Sequence, residues 1–153
     1  MVGEKEAVRS KVLADGTLEL QDSRGSAQLF RLAPGVLLYV CSGQLAQSFH
    51  PQMVALAQRE VEQTGALVMF VDGWDLRSVD TAFREAWTEW FKDHRQHFRM
   101  RLLVRSKLMD MAASLANLFT GVTVIKTFSN VEAWERACAE EHRGFRRLNK
   151  VPA

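Results

Sequence analysis

Ala66-Leu-Val-Met-Phe-Val-Asp72-Gly-Trp-Asp75-Leu-Arg-Ser78-Val-Asp80-Thr81-Ala-Phe-Arg-Glu-Ala-Trp87 is the stretch that decides the fold. Leu67 to Val71 is wholly apolar and short, as a strand covered on both faces must be. The next residues, Gly73 to Thr81, are acidic and hydroxyl-bearing and read as a loop. Phe83, Ala86, Trp87, Trp90, Phe91 and His94 then recur at helical spacing and give one apolar face of about four turns. A buried strand feeding an amphipathic helix is the repeating unit of an α/β domain. Strand carboxyl ends and helix N-termini meet at such a junction, where ligands, phosphates and switches are commonly held.

The same alternation extends outward. Val12-Leu-Ala-Asp15-Gly16-Thr-Leu-Glu-Leu20 reads as a hairpin, with Asp-Gly suited to a type I′ turn. Ala27 to Leu32 is a further strand. Pro34-Gly35 turns the chain into the apolar run Val36 to Cys41. Pro51 opens a helix carrying Met53, Val54, Ala57 and Val61, which Gly65 can end. Downstream, Arg99 to Arg105 and Val122 to Phe128 read as strands, separated by a helix with Leu108, Met111, Ala112, Leu115 and Phe119. Ser129 and Glu132 have capping-box spacing ahead of a last helix with Val131, Trp134, Ala137 and Cys138. Recurring strand–helix units imply an α/β fold: a mixed, mostly parallel sheet with helices packed on it and an N-terminal antiparallel hairpin. Residues 1–9 read as a loose leader, 10–141 as a single domain and 142–153 as a basic tail.

Composition narrows the function classes. The chain has 153 residues, enough for one core, with 47% apolar and 25% charged residues, as in ordinary globular proteins. Twenty basic against eighteen acidic residues leave a formal charge of +2, too little to argue for nucleic acid. No apolar run approaches the ~20 residues of a membrane span, and Met1 to Ala7 lacks the apolar core of a secretory signal. A cytoplasmic protein is expected. Cys41 and Cys138 are far apart, show no metal spacing and read as buried, reduced thiols.

The clusters of chemistry-bearing residues each have a structural explanation. Asp72, Asp75 and Asp80 supply hard oxygen ligands, yet they lack calcium-loop spacing, and Asp80 is placed to cap the helix that follows. His94 and His97 have one metal-ligand spacing but no complete ligand set, so no metal is expected. Lys92, Arg95, Arg99, Arg101, Arg105 and Lys107 are interleaved with Glu85, Glu89 and Asp93, as on a solvated face. No nucleophile is paired with a base and the glycines are isolated, which argues against an enzyme and against a cofactor. Trp74 has no periodic reason to be buried. Between Gly73 and Asp75 it is a candidate binding anchor, since aromatic residues are enriched at interface hot spots.

Four segments, in order, carry a family likeness. They are Ser42-Gly43-Gln44-Leu45, Asp75-Leu-Arg-Ser78-Val-Asp80-Thr81, Leu118-Phe-Thr120-Gly121 and Phe128-Ser-Asn-Val-Glu132-Ala-Trp134. They resemble the Gly-Glu-Leu-Asp turn, the Asp-Leu-Ser-x-x-Asp-Ser-Ser-Gly switch loop, the Leu-x-x-Thr-Gly helix end and the last strand–helix junction of the STAS domain. Within that family of bacterial anti-sigma factor antagonists, the chain looks most like the SpoIIAA-like branch, over roughly residues 27–140. The resemblance implies a non-enzymatic regulatory module that binds a protein partner through the loop 73–81 and the helix 82–97. The resemblance carries over to Asp75, Ser78, Asp80 and Thr81, with Thr81 and Ser78 as the phosphorylation candidates, and the loop residue Trp74 completes the expected partner-binding set. Ala82 and Phe83 stand where the family carries serine and glycine. The implied partner is a regulatory kinase, a sigma-regulatory protein or an effector, with a homodimer left open. The alternatives are a dedicated inhibitor or immunity-type protein and a carrier of a small apolar ligand.

Overall fold

The computed structural model describes residues 7–105, 107 and 124–148. Its strands are β1 (Arg9–Val12), β2 (Leu18–Gln21), β3 (Gly25–Ala33), β4 (Val36–Leu45), β5 (Leu67–Val79), β6 (Phe98–Val104) and β7 (Ile125–Phe128). A short 3-10 turn, Gln47–Phe49, leads into α1 (His50–Thr64). The remaining described helices are α2 (Thr81–His94) and α3 (Val131–Glu141). The helix expected around Leu108 to Phe119, and with it the Leu118–Gly121 likeness, lies outside the described residues.

The strands form one mixed seven-stranded sheet in sequence order. β1 to β4 pair antiparallel and β4 to β7 pair parallel. The switch falls at β4, where chain reversal by tight turns gives way to crossovers through helices. The turn that was read as type I′ at Asp15-Gly16 takes another form. Among the described residues no non-glycine has positive φ, and a five-residue connection is held instead by Asp15, whose Oδ1 accepts the Thr17 N–H at 2.9 Å.

Side-chain alternation along the central strands feeds two cores. Leu37, Tyr39, Cys41, Met69, Val71, Met100 and Leu102 belong to the cluster shared with α1 and α2. Leu38, Val40, Phe70 and Leu103 belong to the other, with Trp134 and Cys138 of α3. α2 buries Phe83, Trp87, Trp90 and Phe91, the face read from its spacing. His94 stacks on Trp90 at 4.2 Å, and its Nδ1 donates to the Trp90 carbonyl at 2.8 Å. The α3 cap is Asn130, one residue later than Ser129: its side chain accepts the Ala133 N–H at 2.9 Å.

α1 carries a buried residue that periodicity assigned no role. The Glu60 side chain is 2% exposed and binds the β3–β4 turn. Its carboxylate accepts Arg31 Nε–H at 2.9 and 3.1 Å and the Gly35 N–H at 2.7 Å.

The segment after α3, expected as a basic tail, is anchored on the rest of the fold at Phe145 and Arg147. Phe145 is buried, its ring edge-on to Phe70 at 4.9 Å and to Trp134 at 5.4 Å.

Candidate functional site

The expected loop 73–81 is not a loop for most of its length. β5 continues to Val79 and stays paired with β4, which itself continues through the expected turn at Ser42–Leu45. Polar residues and glycines gave this stretch the composition of a loop, but the parallel backbone pairing overrides it. Two register shifts, between Val40 and Ser42 and between Gly43 and Gln44, bend the ribbon. Gly43 makes the bend possible: its φ is +74°, and a Cβ there would collide with the Arg24 carbonyl. Leu45 and Leu76, both buried, fasten the extension to the core under α1 and α2. Asp80 alone separates the strand from α2, which starts at Thr81 and ends at His94, short of the expected 97.

Four of the five sequence candidates fall into two sets, and Ser78 belongs to neither. Trp74 and Asp75 meet Arg105. The Arg105 guanidinium carbon lies 5.2 Å from the Trp74 ring centroid, and its Nη2 lies 3.9 Å from Asp75 Oδ1. Both charged side chains are substantially exposed, at 62% and 40%. Trp74 is half-buried and rests on the α3-side core, so it is partly a lid as well as a surface. A cation over an indole face adds roughly 0.5–1 kcal/mol at such an exposed position.

Asp80 and Thr81 form the second set, at the start of α2. Asp80 Oδ1 accepts the Phe83 N–H at 2.7 Å, the geometry of an N-cap. Its Oδ2 accepts the Gln47 N–H at 3.1 Å, so the same carboxylate ties down the 3-10 turn ahead of α1. Asp80 is therefore committed to two helix entries. Thr81 is exposed at the first position of α2, and Ser78 is half-exposed in β5 opposite Gln44.

Asp72, the third carboxylate of the run, touches the first set only through the backbone, its Oδ1 accepting the Trp74 N–H at 3.2 Å. Its side chain is 3% exposed and pairs with Arg147 at 2.7 Å. Among the described residues no three His, Cys, Asp or Glu side chains converge as metal ligands.

Sequence reasoning missed Arg105 and Arg147 as individual partners because each belonged to a basic run. Their contacts lie 30 and 75 positions away along the chain, respectively. The one local signal was Phe145, a lone aromatic residue among the charges of the tail.

An apolar cavity of about 100 Å³ lies between the sheet and α2, lined by Tyr39, Met53, Met69, Val71, Phe83 and Trp87 among others. Tyr39 leaves no free polar group there, since its hydroxyl donates to the Met53 carbonyl at 2.6 Å. Burial holds the phenol above its ordinary pKa. Close by, the His50 ring stands edge-on to Trp87 at 5.0 Å with its Nε2 buried and unpartnered. Burial lowers the His50 pKa, which favours the neutral ring. Cys41 and Cys138 are both buried and are not joined in a disulfide.

A parallel β4–β5–β6–β7 half-sheet, antiparallel strands before it and helices on both faces define a SpoIIAA-like fold. Among solved structures, the chain is similar to an uncharacterized protein of the DUF3478 family from Shewanella loihica PV-4, described as having that fold. The match has a TM-score of 0.51 and 15% identity, over 87% of this chain and 94% of that one. No family model and no curated protein matches the sequence.

Proposed function

We propose that the protein is a non-enzymatic, anti-sigma-factor-antagonist-type interaction module that binds a protein partner at the carboxyl end of β5 and the start of α2. The observation that carries this reading is the part-exposed Trp74–Asp75–Arg105 cluster at the first register shift of the paired β4–β5 ribbon. An indole, a carboxylate and a guanidinium on a rigid strand offer an apolar plate beside charges of both signs, the chemistry enriched at interface hot spots. Ser78 and Thr81 extend the surface toward α2, and Thr81 is the exposed hydroxyl at which phosphorylation would act. A phosphate there would gain from the helix N-terminus and be opposed by the Asp80 carboxylate. The fold likeness supports a regulatory role only in general terms. A bacterial, cytoplasmic setting belongs to this reading; among the described residues no helix is long and apolar enough to cross a membrane.

The test is partner capture by the full chain, compared with Asp75→Arg and Arg105→Glu. Each reverses one charge at a substantially exposed site and should leave the thermal midpoint within about 2 °C, as surface changes do. Loss of the captured protein with both variants is expected. Undiminished capture by both would refute the surface.

The apolar cavity favours a second reading, a carrier of a small apolar ligand. At about 100 Å³ it is smaller than the ~150 Å³ engineered cavities that hold benzene. Only a few heavy atoms fit unless α2 moves. Native mass spectrometry of the purified chain tests this: a bound apolar species lost on Met69→Trp would support the carrier, and bare protein would count against it.

A further inference from the structure

The C-terminal segment His142–Leu148 crosses the α3-side face of the sheet and is held there at two points, Phe145 and Arg147. Of its side chains only Phe145 is buried; Arg143, Gly144, Arg146 and Leu148 are exposed. It forms no ladder with any strand. Phe145 sits against Phe70 and Trp134. Two residues on, Arg147 Nε donates to Asp72 Oδ2 at 2.7 Å, and the Arg147 backbone N–H donates to Glu135 Oε2 at 2.7 Å. One buried aromatic and one arginine anchor, on an otherwise exposed segment, is also the anatomy of a short docking peptide.

The receiving side is more informative than the segment. Asp72 lies on a central strand, is 3% exposed, and has Arg147 as its ion-pair partner among the described residues. A carboxylate buried without a cation is costly. At Asp72 the face is not the purely apolar surface that Val40 and Phe70 provide: Oδ1 accepts the Trp74 backbone N–H at 3.2 Å, and Oδ2 is turned to the segment. This face is instead built to receive a guanidinium beside an aromatic ring.

The geometry points to a peptide-docking groove on the α3-side face, formed by Phe70, Asp72, Trp134 and Glu135. Its ligand is an extended protein segment bearing an aromatic residue followed two positions later by arginine. The chain's own Phe145-Arg146-Arg147 fills the groove as an intramolecular occupant. A partner segment of the same pattern displaces it. The groove adjoins the Trp74–Arg105 surface, since Trp74 rests on the same α3-side cluster and its backbone N–H donates to Asp72 Oδ1 at 3.2 Å, but it does not depend on that surface being functional.

The probe is a synthetic peptide with the sequence of residues 142–148, added to the full chain and to a full-length Phe145→Ala/Arg147→Ala variant. That variant keeps the groove and removes both anchors. Saturable binding to the variant is expected, with a raised melting temperature. Wild type should bind at least tenfold more weakly, because its tethered segment competes at an effective concentration in the millimolar range. Adding Asp72→Asn to the variant should weaken the peptide at least tenfold, as should Phe→Ala or Arg→Ala within the peptide.

Gly144→Ala provides a milder opening if the double variant does not fold. The φ of Gly144 is +84°, and a Cβ there would meet nothing within 4 Å, so the change strains only the turn that closes the segment. A Gly144→Ala dimer that the peptide dissolves would be the same docking with a second copy as donor, and would support the groove. Absence of saturable binding to both variants overturns the proposal. So does binding that is unchanged by Asp72→Asn, or equal in wild type and variant.

Discussion

Replacing Glu60 by alanine should be among the more damaging changes on α1, although glutamate on a helix is usually dispensable. Its carboxylate is 2% exposed and accepts from Arg31 twice and from Gly35 once. Hydrogen bonds to a charged group contribute about 1.5–3 kcal/mol. Arg31 is 48% exposed and returns to water when its partner goes, which moderates the loss. The Gly35 N–H and the vacated volume do not recover so easily. A net cost of about 2–3 kcal/mol follows, or roughly 5–10 °C in melting temperature for a domain of this size. Glu60→Gln keeps the volume and part of the hydrogen bonding, so it should cost about half as much.

The pH dependence has a definite sign. Burial pushes the Glu60 carboxyl up, but the Arg31 hydrogen bonds, the Gly35 N–H and the Arg31 and Arg59 charges together outweigh it and hold the group below its ordinary range. A carboxylate lowered in the folded state stabilises fully above its unfolded pKa, about 4.3. That contribution disappears as pH falls through the lower folded value. The gap in stability between wild type and Glu60→Gln should therefore be constant near neutrality and shrink below about pH 4. Thermal denaturation across that range reads both quantities. An alanine variant melting within about 1 °C of wild type, or a gap that widens in acid, would refute the latch.

Asp80→Ala should destabilise by about 1–2 kcal/mol, since it removes the α2 cap and the Gln47 contact together; chemical denaturation measures it, and Asp80→Asn should recover much of the loss. Trp87→Ala should cost about 3–5 kcal/mol, because the indole is 6% exposed and stacked on Phe91 at 5.5 Å; an unchanged denaturation midpoint would contradict the placement of α2. Cys138 should resist thiol reagents in the native state, as burial raises its pKa far above the ordinary value, and labelling should become fast only on unfolding.

What was legible in the sequence followed from period and local chemistry. Val36 to Cys41 and Leu67 to Val71 are strands because nothing else accommodates such short, continuous apolar runs. The buried face of α2 and the Asp80 cap were readable for the same local reasons. The second halves of β4 and β5 were not. Ser42-Gly43-Gln44 and Gly73 to Ser78 have the composition of turns, and they are strands because each supplies the other's backbone partners. Neither segment carries that information alone. Glu60 was hidden differently. It sits three residues after Ala57 on the apolar stripe, where a charge looks like a lapse in periodicity until the β3–β4 turn places Arg31 and Gly35 against it.

The acidic run shows how far composition falls short of role. Asp72, Asp75 and Asp80 lie within nine residues and looked like one cluster. Strand geometry sends them to three environments: Asp72 under the C-terminal segment, Asp75 to the surface with Arg105, and Asp80 to the helix cap. They therefore cannot act as one metal or acid–base group. Each carboxylate has its own cation or N–H partners, drawn from elsewhere in the fold. Hydroxyl-bearing residues that shared the apparent loop are separated in the same way, Ser78 staying in β5 while Thr81 opens α2. A partner that reads Asp75 would meet Trp74 and Arg105 before it meets Thr81. The binding contribution of the Trp74–Asp75–Arg105 cluster should thus be separable from any effect of modifying Thr81. Combining Asp75→Arg with Thr81→Glu would measure that separation: additive changes in affinity are expected for sites that share no contact.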